Sequence, residues 1–470
     1  MKQKFQSLLK KPEYIFLYIG SVFGLLSLFI MPVMTIPDEG AHFWLSYGMF
    51  SKNERIPEGI MISAEDSASY VKDGTYIDRL FKEKADLDGD SLQFNVSKSL
   101  VGIYASNDSG PRSVSSFDLP RLPQALGVAV GHAIYPSIGV MTTIGRIFNL
   151  AFFLVAIFLI IRHVRFGKLA IAFLALFPMI IHQAASLSHD VVNIVVIFAW
   201  TALMINLFMQ KAPITRKQLV LTTLLAVALV ATKPSNILLL AFLPLLPLAL
   251  YKSTSLFTWL RKRMPTIVIS RRTLWTVGGI AIGLIGIGAL YVIDAYLDRH
   301  GVGTSTFVQV LFNTFFRTDI NTQLDPIVTT GIVGHFGWLW YKLPEWLVFA
   351  HLSVFALILL GDKVPKVSLR FALASLGIFI MSVAIITVGM YFLWTLDPMV
   401  AGPGAKFIQG VQGRYFTPLL ILLIPAFAYL QKYISVRIKP TLLTTIAVST
   451  AVFSLTVYIV LSYIFFFLPA

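Results

Sequence analysis

The sequence predicts an all-α integral membrane protein with about eleven transmembrane helices. Of its 470 residues, 56% are hydrophobic and 13% are charged. Runs of about 20 apolar residues recur along the chain, which is the length that an α-helix needs to cross a bilayer. A membrane β-barrel is disfavoured because its strands are about 10 residues long and alternate in polarity. The chain has no cysteine, which excludes disulfides and thiolate metal sites. We therefore expect one polytopic domain over residues 1–470.

The net charge of +15 is explained by membrane topology. Four lysines precede the first apolar run, so the N-terminus is expected in the cytoplasm. With the threading given below, 22 Lys and Arg face inward beside only two acids, Glu13 and Asp362, whereas 16 Lys and Arg and 21 acids face outward. This bias indicates a membrane protein whose basic loops meet anionic lipid, and no nucleic-acid partner.

The connection after the first run, residues 35–145, is predicted to be a long extracellular loop. It contains a polar stretch from Ser51 to about Pro120 that holds most of the acids of the chain. The apolar segment Leu122–Val140 is long enough to be a span. If it spanned, however, the basic cluster at Arg162–Lys168 would face outward. We therefore interpret it as a helix that lies at the outer surface.

The other apolar runs are assigned as spans, with the C-terminus outside. Two of them, 218–232 and 235–252, can also form one helix broken by Pro234, Pro244 and Pro247. The predicted spans are 14–34, 143–162, 169–187, 190–210, 218–232, 235–252, 274–296, 346–361, 371–395, 415–431 and 441–466.

Polar residues collect near the predicted outer ends of these spans. A charged side chain at the bilayer centre costs about 2.5–3.5 kcal/mol, so charges near a span usually face a cavity and have a function. Acids and bases from several loops on one side of the membrane form the pattern of an active site. The candidates are Asp38, Glu39, His42, Arg146, His189, Asp190, Lys233, His335, Trp338, Gln412, Arg414 and Tyr415.

Most of these residues also have a purely structural interpretation. Acids after Pro37 suit the first turn of a helix, His189 and Asp190 can begin a span, and Lys233 can snorkel to the interface. Two observations favour function. The spacing of Asp38 and His42 predicts that they share a helix face. Arg414 faces outward against the charge bias, and its guanidinium is suited to binding phosphate.

The same stretches carry a family resemblance. "PDEGAHFW", "LPQALG" with "GRIFNL", "FPMIIHQAASLSHD", "ATKPSNILL", "HFGWLWYKLPEW" and "GVQGRYFTPLL" resemble a bacterial multi-pass family known as domain of unknown function 2142. That family in turn resembles the C-fold glycosyltransferases (GT-C). These are membrane enzymes that take a sugar from a polyprenyl-phosphate carrier on the outer face. They have an acidic pair after span 1 and surface-lying helices in the same loop.

The resemblance implies a role for each group of site residues. Asp38 would be the general base, and Glu39 would orient the acceptor or hold a cation. A divalent cation is a possible cofactor, and no residues are assigned as its ligands. Arg146, Lys233 and Arg414 would neutralise the phosphate of the donor. The implied partners are a polyprenyl-phosphate sugar and a cell-surface glycan or lipid-linked acceptor.

Two other classes of function stay open at this stage. One is a transporter or flippase for a lipid-linked saccharide, which the proline-broken spans would suit. The other is a noncatalytic partner in the assembly of such a saccharide. The sequence shows no inverted repeat, which counts against a transporter. The noncatalytic role leaves the Asp38–Glu39 pair unexplained.

Overall fold

A computed structural model describes residues 11–51, 62–87, 104–107, 110–113, 119–247, 250, 288, 291–322 and 329–468. Among these residues, β structure is confined to two small antiparallel hairpins, and helices dominate. The hairpins are β1 (Tyr104–Asn107) with β2 (Gly110–Ser113), and β3 (His335–Phe336) with β4 (Tyr341–Lys342). The helices up to the first hairpin are α1 (Pro12–Ile30), α2 (Glu39–Gly48) and α3 (Ala64–Lys72), followed by a π-helical turn at Asp78–Lys82.

The later helices form the body of the protein. They are α4 (Leu122–Ile134), α5 (Ile138–His163), α6 (Lys168–Ala175), α7 (Pro178–Ala184), α8 (Asp190–Phe208), α9 (Arg216–Thr232), α10 (Phe242–Leu245), α11 (Thr304–Phe316), α12 (Thr330–Val333), α13 (Glu345–Gly361), α14 (Leu369–Met390), α15 (Leu423–Leu430) and α16 (Pro440–Phe467). Single turns of 3-10 helix lie between them at Leu119–Arg121, Gly402–Gly404 and Gly413–Tyr415, and longer 3-10 segments at Pro234–Ala241 and Thr417–Leu422.

Five helices of the described part of the chain are long and apolar enough to cross a membrane. They are Pro12–Ile30, Ile138–His163, Asp190–Phe208, Leu369–Thr395 and Pro440–Phe467. Shorter apolar helices lie at Leu122–Ile134, Pro234–Leu245, Glu345–Gly361 and Thr417–Leu430. The predicted all-α, multi-pass membrane class is therefore confirmed. The number of eleven spans stays a prediction, and most of the predicted span 274–296 lies outside the described residues.

Two predicted spans are interrupted where proline occurs. The run 169–187 forms two helices, α6 and α7, which are separated at Leu176 and Phe177 just before Pro178. The run 415–431 begins as 3-10 helix around Pro418 and becomes α-helical only at Leu423. Proline cannot donate a backbone hydrogen bond and clashes with the preceding turn, so a continuous α-helix is not formed.

The uncertain pair at 218–252 is a hairpin rather than one broken helix. The backbone N–H of Ile214, before α9, donates to the carbonyl oxygen of Leu250 at 2.8 Å. The chain at Leu250 has therefore returned to the end of the hairpin where α9 begins. The reversal occurs at Lys233, which is extended (φ −152°) as expected for a residue before proline. Asn236 closes the turn by donating to the Leu229 carbonyl oxygen at 3.2 Å.

Helix α4 is shorter than the predicted segment Leu122–Val140. It ends at Ile134, and α5 begins at Ile138 and runs back antiparallel to it. Glycine permits this close contact, because a Cβ added to Gly127 would lie 2.7 Å from the Cα of Gly145. The 13 residues of α4 measure about 20 Å, less than the roughly 30 Å of a hydrocarbon core. Its length is consistent with a surface-lying helix.

The core is built around α8. Within its most apolar 18-residue window, 78% of the residues are buried, far more than in the other four long helices. The indole nitrogen of Trp200 in this helix donates to the Leu239 carbonyl oxygen at 3.0 Å, which ties α8 to the 3-10 segment after Lys233. Because α8 is central, the residues at its N-terminus are brought close to several loops at once.

Candidate functional site

The acidic pair after α1 lies in a strained turn. Met34 and Asp38 both adopt left-handed backbone conformations, with φ of 67° and 62°. Such conformations cost roughly 1 kcal/mol or more for residues other than glycine, so surrounding contacts must hold them. Asp38 is the N-cap of α2, whereas Glu39 is its first residue. The left-handed turn at Asp38 thus separates two neighbouring carboxylates into different environments.

Glu39 is completely buried and binds Arg146 through both oxygens. The Nε of Arg146 donates to Oε1 at 2.8 Å, and its Nη2 donates to Oε2 at 2.5 Å. The same two oxygens also accept the backbone N–H groups of Leu187 at 3.1 Å and Met34 at 2.8 Å. Glu39 therefore connects α5, the loop before α8 and the strained turn.

Arg146 has no N–H group left for a ligand. Its remaining donors reach three backbone carbonyl oxygens at the end of α1: Leu28 at 3.1 Å, Met31 at 2.6 Å and Pro32 at 3.0 Å. With the two bonds to Glu39, all five guanidinium N–H groups are used. This geometry revises the predicted roles. Arg146 holds the end of α1 instead of a phosphate, and Glu39 holds Arg146 and the turn instead of an acceptor or a cation.

Asp38 is the accessible member of the pair. About 48% of its side chain is exposed, and its Oδ2 lies 2.7 Å from Nη2 of Arg414. Arg414 is itself buried, and its Nε has no hydrogen-bond partner. Burial acts to lower the pKa of Arg414, whereas Tyr415 and the Asp38 carboxylate raise it above its ordinary value. The arginine therefore stays charged beside an accessible carboxylate.

The glycines before Arg414 serve packing within the chain. A Cβ at Gly413 would lie 2.3 Å from the carbonyl carbon of Gly331, so only glycine permits the two backbones to touch. Gly410 has φ +77°, and a Cβ there would meet Trp394 at 2.9 Å. These glycines therefore fix the loop that carries Arg414 against α12 and against Trp394, which follows α14.

His42 and His189 meet edge to face, with ring centroids 4.8 Å apart. Nδ1 of His42 lies 2.8 Å from Nη1 of Arg121. Because arginine only donates, Nδ1 is the acceptor and the neutral ring carries its proton on Nε2. Burial, then His189 and Arg121, lowers the pKa of His42 well below its ordinary value. Burial likewise lowers the pKa of His189 to about 3. Both rings are thus neutral near pH 7.

Asp190 and Lys233 form a second ion pair in the cluster. Nζ of Lys233 lies 2.6 Å from Oδ1 of Asp190. The same ammonium lies 5.0 Å from the centre of the Tyr415 ring, and the guanidinium of Arg414 lies 5.3 Å from that ring. Tyr415 therefore contacts both cations, which places Lys233 and Arg414 in one cluster. Lys233 is thus paired with an acid of α8.

Two predicted residues of the "GHFGWLWYKLPEW" stretch have different surroundings. His335 is nearly buried; its Nε2 lies 3.1 Å from the Leu339 carbonyl oxygen, so Nε2 carries the proton. It lines a narrow pocket together with Gln412 and Arg414. Trp338 lies in the turn between β3 and β4 and is 44% exposed. His335 therefore belongs to the site, whereas Trp338 presents its indole to the surroundings.

The structure adds residues that the sequence analysis did not select. Arg121 precedes α4 and contacts His42, and Gln183 in α7 lines the same pocket as Gln412. A signal for Arg121 was present, because it is an arginine in a segment assigned outside, as Arg414 is. Nothing distinguished Gln183 within a predicted span. In the described part of the chain, no group of three His, Asp or Glu side chains is arranged to hold a metal ion.

The family model described as "Predicted membrane protein (DUF2142)" matches residues 22–423. The chain belongs to this family. The matched region contains all of the site residues described above. No curated protein and no solved structure matches the chain. Membership of DUF2142 supports residence in the membrane, and the chemistry of the site must be argued from its geometry.

Proposed function

We propose that this DUF2142 protein is a GT-C-type glycosyltransferase of the bacterial cell membrane. In this proposal it transfers a sugar from a polyprenyl-phosphate donor to a cell-surface glycan or lipid-linked acceptor on the outer face. The observation that carries the proposal is Asp38, a half-exposed carboxylate at the N-terminus of α2 that is paired with a buried arginine. A pair used only for stability has no need of an exposed acid, as the fully buried Glu39–Arg146 pair illustrates.

Asp38 would act as the general base. The acceptor hydroxyl oxygen attacks the anomeric carbon of the donor sugar, and its proton passes to the Asp38 carboxylate. The bond between the anomeric carbon and the phosphate oxygen breaks, and polyprenyl phosphate leaves. Arg414, 2.7 Å away, orients the Asp38 carboxylate for this step.

The cations of the cluster would bind the donor phosphate. Arg121, Lys233 and Arg414 lie together beside the carboxylates of Asp38 and Asp190. The positive charge of these side chains suits a phosphodiester donor, which has one negative charge. It also stabilises the second negative charge that develops on the phosphate as the sugar leaves. Arg146 is not assigned to the donor, because all five of its N–H groups are already used within the protein.

The test is the transfer rate of Asp38→Asn with defined polyprenyl-phosphate sugars and purified protein. Asparagine keeps the size of the side chain and tolerates the left-handed conformation at this position, so the variant is expected to fold. Loss of the base should slow transfer by about a hundredfold or more. The matched control is Asp78→Asn, which removes an exposed acid paired with Lys82 at 2.7 Å and should not change the rate.

Two results would contradict the proposal. Near-parental transfer by Asp38→Asn would show that Asp38 is not the base. If neither protein forms a glycosylated product from any donor, while the parent protein moves a lipid-linked saccharide across vesicle membranes, the transporter alternative would be correct.

A further inference from the structure

A narrow pocket lies next to Asp38. Pro37, which precedes Asp38, and Arg414, which binds it, both line this pocket together with His182 and Gln183 of α7 and Gln412. Its volume of about 10 Å³ accommodates roughly one water-sized group. It therefore suits a single polar atom of a ligand rather than a whole sugar ring.

Four side chains that line the pocket have buried polar atoms without a hydrogen-bond partner. These atoms are Nε2 of His182, Nε2 of Gln183, Oε1 of Gln412 and Nε of Arg414. Buried polar groups are normally paired, and each exception in a folded protein calls for an explanation. Four exceptions around one small space indicate that a polar group of a ligand binds there.

The combination of donors and acceptors selects the chemistry of that group. Gln183 and Arg414 offer N–H donors, whereas Oε1 of Gln412 is an acceptor. A phosphate or carboxylate oxygen accepts only, so it would be repelled by Gln412. An ammonium group donates only, so it would be repelled by Arg414 and Gln183. A hydroxyl group both donates and accepts, and it can satisfy all three.

A hydroxyl group forms three hydrogen bonds, so His182 would bind it in place of one of the other three side chains, and its ring can adapt to either direction of the bond. Its Nδ1 lies 2.8 Å from the hydroxyl oxygen of Tyr458, which in turn lies 2.6 Å from Oγ of Ser27. Both hydroxyl groups can reverse their protons, so Nδ1 can donate or accept. Nε2 then accepts or donates accordingly, and the chain of contacts fixes only the position of the ring.

The guanidinium of Arg414 sets the distance between the pocket and Asp38. In Arg146, Nε and Nη2 hold the two oxygens of one carboxylate, at 2.8 and 2.5 Å. In Arg414, Nη2 holds Oδ2 of Asp38, and Nε has no partner. A hydroxyl oxygen on Nε would therefore lie beside the Asp38 carboxylate, within the reach of neighbouring hydroxyl groups of one sugar.

We propose that this pocket binds one non-reacting hydroxyl group of a neutral sugar acceptor and so selects which neighbouring hydroxyl faces Asp38. The inference rests on the proposed transferase function, since it assigns the acceptor side of that reaction. Gln183, Gln412 and the Nε atom of Arg414 would then determine the position at which the new glycosidic bond forms.

The test measures binding without donor and without turnover. Thermal shift and calorimetry would compare methyl glycosides of glucose, galactose, mannose and rhamnose with their monodeoxy analogues. The parent protein should bind at least one glycoside and bind one of its deoxy analogues about tenfold more weakly or worse. Gln412→Leu should bind the glycoside and that analogue equally, and Gln412→Glu, which keeps an acceptor oxygen, should restore the preference.

The matched control is Gln124→Leu. Gln124 is also fully buried with unpartnered side-chain atoms, but it does not line the pocket, so this variant should discriminate as the parent does. If the parent binds none of these glycosides, binds every deoxy analogue equally well, or keeps its preference in Gln412→Leu, the pocket assignment is wrong. A parent that discriminates but forms no transfer product would instead overturn the proposed function alone.

Discussion

Replacing Glu39 by glutamine should destabilise the protein strongly, although it changes one atom. Glu39 is 0% exposed and its two oxygens accept four hydrogen bonds. In a glutamine, one oxygen becomes an NH₂ group, which would face two N–H donors whichever way the amide is turned. The positive charge of Arg146, 1% exposed, would also lose its partner.

The expected cost follows from these contacts. Removing one member of a buried ion pair typically costs about 3–5 kcal/mol, because the other charge is left uncompensated. The loss of two hydrogen bonds to a charged group, at about 1.5–3 kcal/mol each, gives a similar figure. We therefore expect Glu39→Gln to lower the free energy of unfolding by about 3–5 kcal/mol.

The assay is unfolding by SDS in mixed micelles, with Glu345→Gln as the matched control. Glu345 pairs with Lys342 at 3.1 Å, but both side chains are exposed, 59% and 38%. Loss of such a surface pair should cost less than about 1 kcal/mol. If Glu39→Gln costs no more than Glu345→Gln, the structural role of the Glu39–Arg146 pair is refuted. Strict additivity of Glu39→Gln and Arg146→Gln in a double-mutant cycle would refute the coupling between them.

Three further predictions concern topology, pH and packing. A cysteine that replaces exposed Lys72 should react with an impermeant thiol reagent in intact cells, whereas a cysteine that replaces exposed Arg165 should react only after permeabilisation. Labelling of both cysteines in intact cells would mean that α4 spans the membrane. The pKa of His189, beside Arg121, Asp190 and Lys233, is lowered from 6.5 to about 3. The unfolded chain therefore binds more protons below pH 6.5, and stability should fall with decreasing pH, by at most about 1.4 kcal/mol per unit for this residue. His189→Asn should flatten the dependence of unfolding on pH, and an unchanged slope would contradict this assignment. Gly413→Ala should destabilise by about 1–3 kcal/mol or more because of the contact with Gly331. Gly404→Ala, with open space around it, should be neutral, and equal effects of the two substitutions would argue against the backbone contact.

Several residues of the site could be selected from the sequence because their positions defy a general rule. Arg414 is an arginine in a segment predicted to face outward, where acids outnumber Lys and Arg, and Asp38 lies where an apolar run ends. Both positions are unusual because transferring a charge from water to lipid costs free energy. This cost applies to each residue separately, so it can be recognised in the sequence. The structure brings these two residues together at 2.7 Å.

The sequence could not predict that Asp38 is accessible whereas Glu39 is buried. The two residues are neighbours with the same chemistry, and the sequence contains no sign of the left-handed turn that separates them. For the same reason, the sequence could not show whether Arg121 or Arg146 binds the buried carboxylate. Each lies near the boundary of an apolar segment, but only Arg146 meets a buried carboxylate and three free carbonyl oxygens at the end of a helix.

The sequence by itself determined the α-helical membrane class and the approximate position of most apolar helices, whereas the interruptions at Pro178 and Pro418 were not predicted. These properties depend on local length, apolarity and backbone chemistry, so a short window of residues is sufficient to specify them. Only the tertiary structure decided which acid is buried, which arginine is fully paired and which polar atoms around the pocket lack partners. Those properties depend on donors and acceptors that are remote in sequence, such as the 376 residues that separate Asp38 from Arg414. Burial makes each of these pairings strong, and packing alone determines which atoms are close enough to form them.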